Sequence, residues 1–407
     1  MLIGFNRLPR YEHQTPAIRS FPFAPDAAAF GALPGVTTTM SPIESVTELC
    51  RALVRIPSEN PSGAPDSAGE EAIGRFVGDF LSAHGASVEF EYVAEGRPNV
   101  YGWFPRPSAA KTTILFAPHL DTVPARGMTI DPFKGDIVDG RLLGRGATDT
   151  KGPMAAMLWA LTTTDLSKLN VAVGFVGLAD EEADQLGSKI AAKRREANFV
   201  VVGEPTDLNV VYTHKGTAWM QLDAKGKAVH AAAPDAGINA IELLTEAFAA
   251  LKKEFPSLCP APANETLGKP TISLGTITGG VKINVVPDHS RAEIDIRTVP
   301  GQEEMVSAVQ SFLTQHFPDV QATPLKVSQP LYTDPSHPII EKFVALGSQR
   351  IGVPWFCDAA FFAQQDTPAI AIGPGTIKQA HTCDEFIEIR DLERGADFFR
   401  SFLNSFT

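Results

Sequence analysis

The sequence predicts an α/β protein in which a mixed sheet is covered by helices and interrupted by a second unit of ferredoxin-like α+β order. Three observations predict it. Up to about residue 213, continuous apolar runs alternate with helix-length segments; runs apolar at nearly every position read as strands buried on both faces. The middle of the chain instead orders as strand-helix-strand-strand-helix-strand, the ferredoxin-like succession. After Pro330 the helix–strand alternation resumes, so the second unit is expected to be inserted into the first.

A chain of 407 residues exceeds one ordinary core, so more than one domain is expected. The expected boundaries are 40–213 and 326–407 for the two parts of the first domain and 214–325 for the inserted one. Residues 1–39 carry several prolines and phenylalanines, no helical period and no signal-peptide core, and read as a poorly ordered extension. Met40-Ser41-Pro42 opens a helix with Ile43, Val46, Leu49 and Val54 near helical spacing. An amphipathic helix is expected over 70–84 and an Ala/Met/Leu-rich helix over 151–163. Buried strands are expected at 112–117, 171–179 and 199–203. In the inserted unit, strands are expected at 214–224, 271–276, 291–297 and 320–327, with helices at 238–255 and 302–317. The chain closes with a helix at 338–347, a short strand at 369–372 and a helix at 391–402.

The formal net charge of −12 argues against nucleic acid or an anionic membrane surface as partner. No apolar run approaches the ~20 residues of a membrane span. The acidic balance fits a cytoplasmic protein with a small-molecule partner, and the four cysteines, Cys50, Cys259, Cys357 and Cys383, lack Cys-x-x-Cys spacing, which points to a reducing compartment.

Acidic and imidazole residues recur at the ends of the apolar runs. His119 and Asp121 follow the run 112–117, and Asp149 follows a glycine-rich turn. Asp180-Glu181-Glu182 ends the run 171–179, Glu204 ends 199–203, and His381 follows 369–372 and its Gly-Pro-Gly turn. Each cluster alone is commonly a solvated polar group. Together they supply two imidazoles and several carboxylates at strand ends, where α/β sheets bind ligands. Neutral imidazole and carboxylate are zinc ligands. Two residues apart, His119 and Asp121 share a side, so Asp121 can accept the imidazole N–H. Asp149 is the best-placed bridge between two metals. Glu181 and Glu182, adjacent on extended backbone, point apart, so that one can bind metal and the other act as a base.

These residues stand in motifs of a known family. Pro118-His119-Leu120-Asp121-Thr122-Val123-Pro124, Gly144-Arg145-Gly146-Ala147-Thr148-Asp149-Thr150-Lys151-Gly152, Asp180-Glu181-Glu182, Gly203-Glu204-Pro205-Thr206 and Gly373-Pro374-Gly375 with Ala380-His381-Thr382-Cys383-Asp384-Glu385 occur in order. The chain resembles the di-zinc amidohydrolases that include acetylornithine deacetylase, succinyl-diaminopimelate desuccinylase and carboxypeptidase G, over about residues 41–407. The resemblance implies a zinc-exopeptidase-like sheet with an inserted lid or dimerisation domain. It implies two divalent metals, zinc first with cobalt as substitute. His119, Asp149 and Glu204 would hold one, and Asp149, Glu182 and His381 the other. Glu181 would be the general base, Asp121 would orient His119, and the Asp149–Thr150 peptide would be cis.

The stretch from Gly226 to Pro234 is expected to open the helix of the inserted domain, and the same resemblance implies that His230 within it reaches the partner subunit's site in a homodimer. It places Asn284 and Arg297 at the substrate, with Arg297 suited to a carboxylate. An ion pair within the sheet is the alternative for Arg297. The Gly373-to-His381 stretch is most similar to acetylornithine deacetylases, so the expected reaction is hydrolysis of N-acetylornithine to ornithine and acetate. Cys357-Asp358-Ala359-Ala360 departs from the Thr-Glu-Ala-Gly those enzymes carry and leaves the pocket open. A desuccinylase, an acylglutamate or dipeptide carboxypeptidase, and a non-catalytic metal- or ligand-binding homologue are the alternatives.

Overall fold

A central strand, Thr112–Pro118, pairs in parallel with Val171–Gly177 on one side and Phe199–Gly203 on the other. All three strands are almost wholly buried, which explains why their sequences are apolar throughout and do not alternate. The computed structural model describes residues 43–258, 260 and 266–407; the extension expected at residues 1–39 and Cys259 lie outside them. Ala369–Ala371 extends the parallel set beyond Phe199–Gly203. An antiparallel hairpin, Ser87–Ala94 with Arg97–Trp103, flanks the Val171 side. Val210–His214, Leu331–Tyr332 and Arg350–Val353 complete a nine-stranded mixed sheet.

Helices cover both faces. On one face Val46–Val54, Glu71–Ala83, Lys151–Thr163, Pro338–Ala345 and Ile389–Asn404 bury a core that includes Phe116, Phe343, Phe399 and Phe402. The first of these helices begins at Ser45, whose hydroxyl accepts from the Glu48 N–H. On the other face Leu186–Arg194 and Ala359–Ala363 pack on Val200, Val202 and Ala371. Lys151–Thr163 is buried along nearly its whole length, which explains its lack of an amphipathic pattern.

A second, four-stranded antiparallel sheet is built from Gly216–Lys225, Thr271–Gly279, His289–Thr298 and Val320–Ser328. Its strands stand in the spatial order second, third, first, fourth, with Ala240–Leu258 and Met305–His316 as the two crossover helices. This is the ferredoxin-like order. Its core, with Met220, Leu244, Leu251, Ile294 and Leu313, is separate from the two around the large sheet. One expectation is corrected here. His230 does not open a helix, because Ala240 does; His230 sits in an irregular segment bridged to Val285. The asparagine at 239 caps that helix through its side-chain oxygen, which accepts from the Ile241 and Glu242 N–H groups.

Candidate metal centre

Parallel strands that end together bring the residues after them together. His119 directly follows Thr112–Pro118, and Glu204 directly follows Phe199–Gly203. Asp180, Glu181 and Glu182 lie in the turn after Val171–Gly177. Asp149 comes from the turn before Lys151–Thr163, and His381 from the loop after Ala369–Ala371. The Asp149–Thr150 peptide bond is cis.

These side chains converge. His119 Nε2 lies 3.1 Å from Asp149 Oδ1, and His381 Nε2 lies 3.3 Å from Asp149 Oδ2. Asp149 therefore turns one oxygen towards each imidazole. His381 Nε2 also lies 3.2 Å from Glu182. Ligand atoms of His119, Asp149 and Glu204 lie within 4.8 Å of one another, as do those of Asp149, Glu182 and His381, and those of His119, Glu181 and Glu182. His119, Asp149 and Glu204 are buried, whereas His381 is exposed and adopts a left-handed backbone at φ 61°.

The electrostatics of the cluster are those of a cation site. Glu181 and Glu204 are driven well above the usual carboxylate range, first by burial and then by neighbouring carboxylates. Burial also opposes ionisation of Asp149, but hydrogen bonds from His119 and His381 prevail and pull it down. The His381 imidazole is pushed up to about 10 by Asp149 and Glu182. Four carboxylates and two imidazoles share this crevice. Burying that much negative charge is costly without cations, and two divalent ions would balance it. The donor set of oxygen and imidazole nitrogen fits zinc and cobalt alike.

Asp121 lies beside the His119 ring, as expected, and its carboxylate has further partners. The His119 Nδ1 atom lies 2.9 Å from the Asp121 main-chain carbonyl, and its distance to the Asp121 carboxylate is 3.5 Å. The carboxylate also accepts the N–H groups of Glu181 and Glu182, each at 3.0 Å, and the Asn60 amide at 2.7 Å. It thus fixes the turn that carries both glutamates. That turn departs from expectation: Glu181 and Glu182 are not on extended backbone, since Asp180 has φ 71° and a turn follows.

Several supporting residues carry no local signal of their role. Glu385 accepts from the N–H groups of Gly146, Thr148 and Asp149 at 3.0 Å each and from Arg145 at 2.7 Å. It holds the backbone of the Asp149 turn. Asn60 joins Asp121 to Asp180, and Arg97 pairs with Glu70 and Asp180 beneath them. Asp358, in the departing Cys357-to-Ala360 stretch, is buried, accepts from the Ser188 hydroxyl at 2.5 Å, and is pushed up to about 7 by burial.

A cavity of about 460 Å³ opens over the cluster, between the two sheets. Glu181, Glu182, Trp219, Lys326, Trp355 and Phe356 are among its walls. His230, Asn284 and Arg297 do not line it. His230 and Asn284 lie together, with the Ala231 N–H donating to the Asn284 carbonyl, and both are exposed. The Arg297 guanidinium is engaged by Asp295 and Thr217, the ion-pair alternative left open by the sequence.

The family described as Peptidase family M20/M25/M40 matches residues 115–405. Acetylornithine deacetylase of Photorhabdus laumondii subsp. laumondii is 30% identical over 357 residues, covering 84% of this chain and 92% of that one. Among solved structures, aminopeptidase PepT from Bacillus cereus ATCC 10987 superposes with a TM-score of 0.71 at 20% identity, covering 88% of this chain and 97% of that one. The Bacillus subtilis YXEP protein, a dinuclear metal-binding peptidase from the M20 family, gives a TM-score of 0.62 at 16% identity over 88% and 96% of the two chains.

Proposed function

The chain belongs to peptidase family M20/M25/M40, and from that membership we propose that it hydrolyses the amide bond of an N-acyl amino acid, with N-acetylornithine as the first substrate to test. The observation that carries this reading is the pair of Asp149 oxygens, one facing each imidazole. One carboxylate so placed would serve two cations. His119, Asp149 and Glu204 would hold one, and Asp149, Glu182 and His381 the other; zinc is our first choice. When bound, two such ions would polarise an amide carbonyl and lower the pKa of a water molecule.

The chain's own residues supply the proton transfers. Glu181 lies outside both of those triplets, and its backbone is pinned by Asp121. We assign it the proton of the attacking water, which it then passes to the leaving amine nitrogen. Asp121 positions Glu181 and Glu182, and the Asp121 main-chain carbonyl orients the His119 ring. Trp219 and Lys326 reach the cavity from the second sheet, which supports reading that sheet as a lid.

The direct test is a hydrolysis panel of N-acetyl-L-ornithine, N-succinyl-diaminopimelate and N-acylglutamates with zinc- or cobalt-loaded protein. Release of the free amino acid, its loss on chelation and its return with metal are expected. Failure to cleave every member would remove the activity assignment. The relatives named acetylornithine deacetylase favour the first substrate, and the desuccinylase and carboxypeptidase activities remain the readings that the panel separates.

We further infer a homodimer through the second sheet. Thr271–Gly279 is an edge strand of that sheet, and Val281 and Ile283 beside it are 90% and 101% exposed. Such apolar groups favour a partner surface, and His230 and Asn284 flank them. A single-chain mass by light scattering would remove this inference and with it the cross-subunit role of His230. No helix among the described residues is long and apolar enough to cross a membrane. Cys50, Cys357 and Cys383 are unpaired, in keeping with the cytoplasmic placement we favour.

A further inference from the structure

We propose that Lys326 is the residue that reads the carboxylate of the amino-acid substrate, with Trp219 beside it as the wall on which the substrate lies. The proposal rests on the N-acyl amino acid reading above. Lys326 and Trp219 stand directly opposite one another on Val320–Ser328 and Gly216–Lys225, so both side chains leave the sheet on the same face. The other face carries Ala218, Met220, Ile294 and Ile296, which pack beneath the two helices. Lys326 and Trp219 therefore point away from that core, and both line the cavity over the metal centre.

The nearby groups that could compete are already committed. Asp295, opposite Trp219 on the next strand, accepts from the indole N–H at 2.8 Å. It also takes two nitrogens of Arg297, at 2.9 and 3.0 Å. The remaining terminal nitrogen of Arg297 donates to the Thr217 hydroxyl at 2.9 Å. The guanidinium fork is the group best shaped for a carboxylate, but here it is consumed within the sheet.

Lys326 is different. Its ammonium donates to the Ala183 carbonyl and lies 5.6 Å from the Trp219 ring centroid. An ammonium has three donors, so two remain for a ligand. Among the described residues lining the cavity, the only other basic side chain is His381, which belongs to the metal cluster. Burial works against the Lys326 cation, which nearby carboxylates such as Asp184 only partly offset, so an incoming carboxylate would relieve it.

The location fits the chemistry. In an N-acyl amino acid the carboxylate is one carbon from the scissile nitrogen. Its receptor must therefore stand close to the residue that protonates that nitrogen. Lys326 is bonded to Ala183, two residues after Glu181 on the same turn.

The test is calorimetric binding to zinc-loaded protein on a Glu181→Gln background, so that ligands survive. The ligands are N-acetyl-L-phenylalanine and its carboxamide. The acid is expected to bind at least ~10-fold more tightly than the amide, the scale of a charge-assisted hydrogen bond. Adding Lys326→Met should erase that preference, and Lys326→Arg should keep most of it. Arg297→Met should leave the preference in place. Acid preference that survives in Lys326→Met, that is absent from the Glu181→Gln protein, or that disappears with Arg297 instead, overturns the proposal. A hydrolysis panel without products, alongside an acid preference that depends on Lys326, would sink the activity reading and leave the binding assignment standing.

Discussion

Replacing Glu181 with glutamine is expected to lower turnover by ~10²–10⁴-fold, the range contributed by a positioned general base, while both metal ions stay bound. The substitution keeps shape and removes the group that takes a proton. Its backbone anchors do not depend on the carboxylate: the Asp121 carboxylate holds the N–H, and the Gln185 amide holds the carbonyl at 2.8 Å. The His119–Asp149–Glu204 and Asp149–Glu182–His381 triplets omit Glu181. A third grouping, His119 with Glu181 and Glu182, includes it, and that gives the experiment its edge. Metal content measured by atomic emission should remain at two ions per chain. A fall to one would make Glu181 a ligand and leave the reaction without its assigned base.

Replacing Asp149 with alanine should have a larger effect. Both triplets lose a member at once, because each imidazole faces one of its two oxygens. Metal content is expected to drop below two ions per chain, and turnover by ~10⁴-fold or more, the scale at which cooperating catalytic groups fail together. Equilibrium dialysis against zinc checks the first outcome and kinetics the second. Two ions retained at unchanged affinity would refute the bridging role. The turn itself should survive, since Glu385 grips the N–H groups of residues 146, 148 and 149 without using the Asp149 side chain.

The parts of this molecule that were legible in the sequence are those whose burial is uniform. Thr112–Pro118 and Phe199–Gly203 are buried along almost their whole length, so their apolar runs needed no periodicity to be recognised. The Lys151–Thr163 helix was readable from length and composition. The hairpin of Ser87–Ala94 and Arg97–Trp103 was not anticipated, because its edge strand is only half-buried and Pro98 and Gly102 dilute the pattern of its partner.

The site divides in the same way. Side chains that stand after strands follow from strand order, and so His119, Glu204 and the two glutamates were found together. Backbone contacts do not follow from it. Nothing in the spacing of His119 and Asp121 tells that a main-chain carbonyl also meets the imidazole or that the carboxylate also holds a distant turn. The juxtaposition of Lys326 and Trp219 depends on strand register, including a shift between Pro324 and Lys326, which no local pattern encodes. The helix expected over 238–255 begins at Ala240, and the Gly226-to-His230 stretch does not open it because Asn239 provides the cap.

The grip of Glu385 on the Asp149 turn also fixes an order of events in time. Its partners lie as much as 240 positions earlier in the chain, so residues 146–149 leave the ribosome long before their acceptor is made. Until residue 385 is synthesised, three backbone N–H groups and the Arg145 guanidinium lack the carboxylate that arranges them. The turn that carries Asp149 is thus arranged by a carboxylate made 236 positions after it, and the nascent protein carries that turn without its acceptor until then.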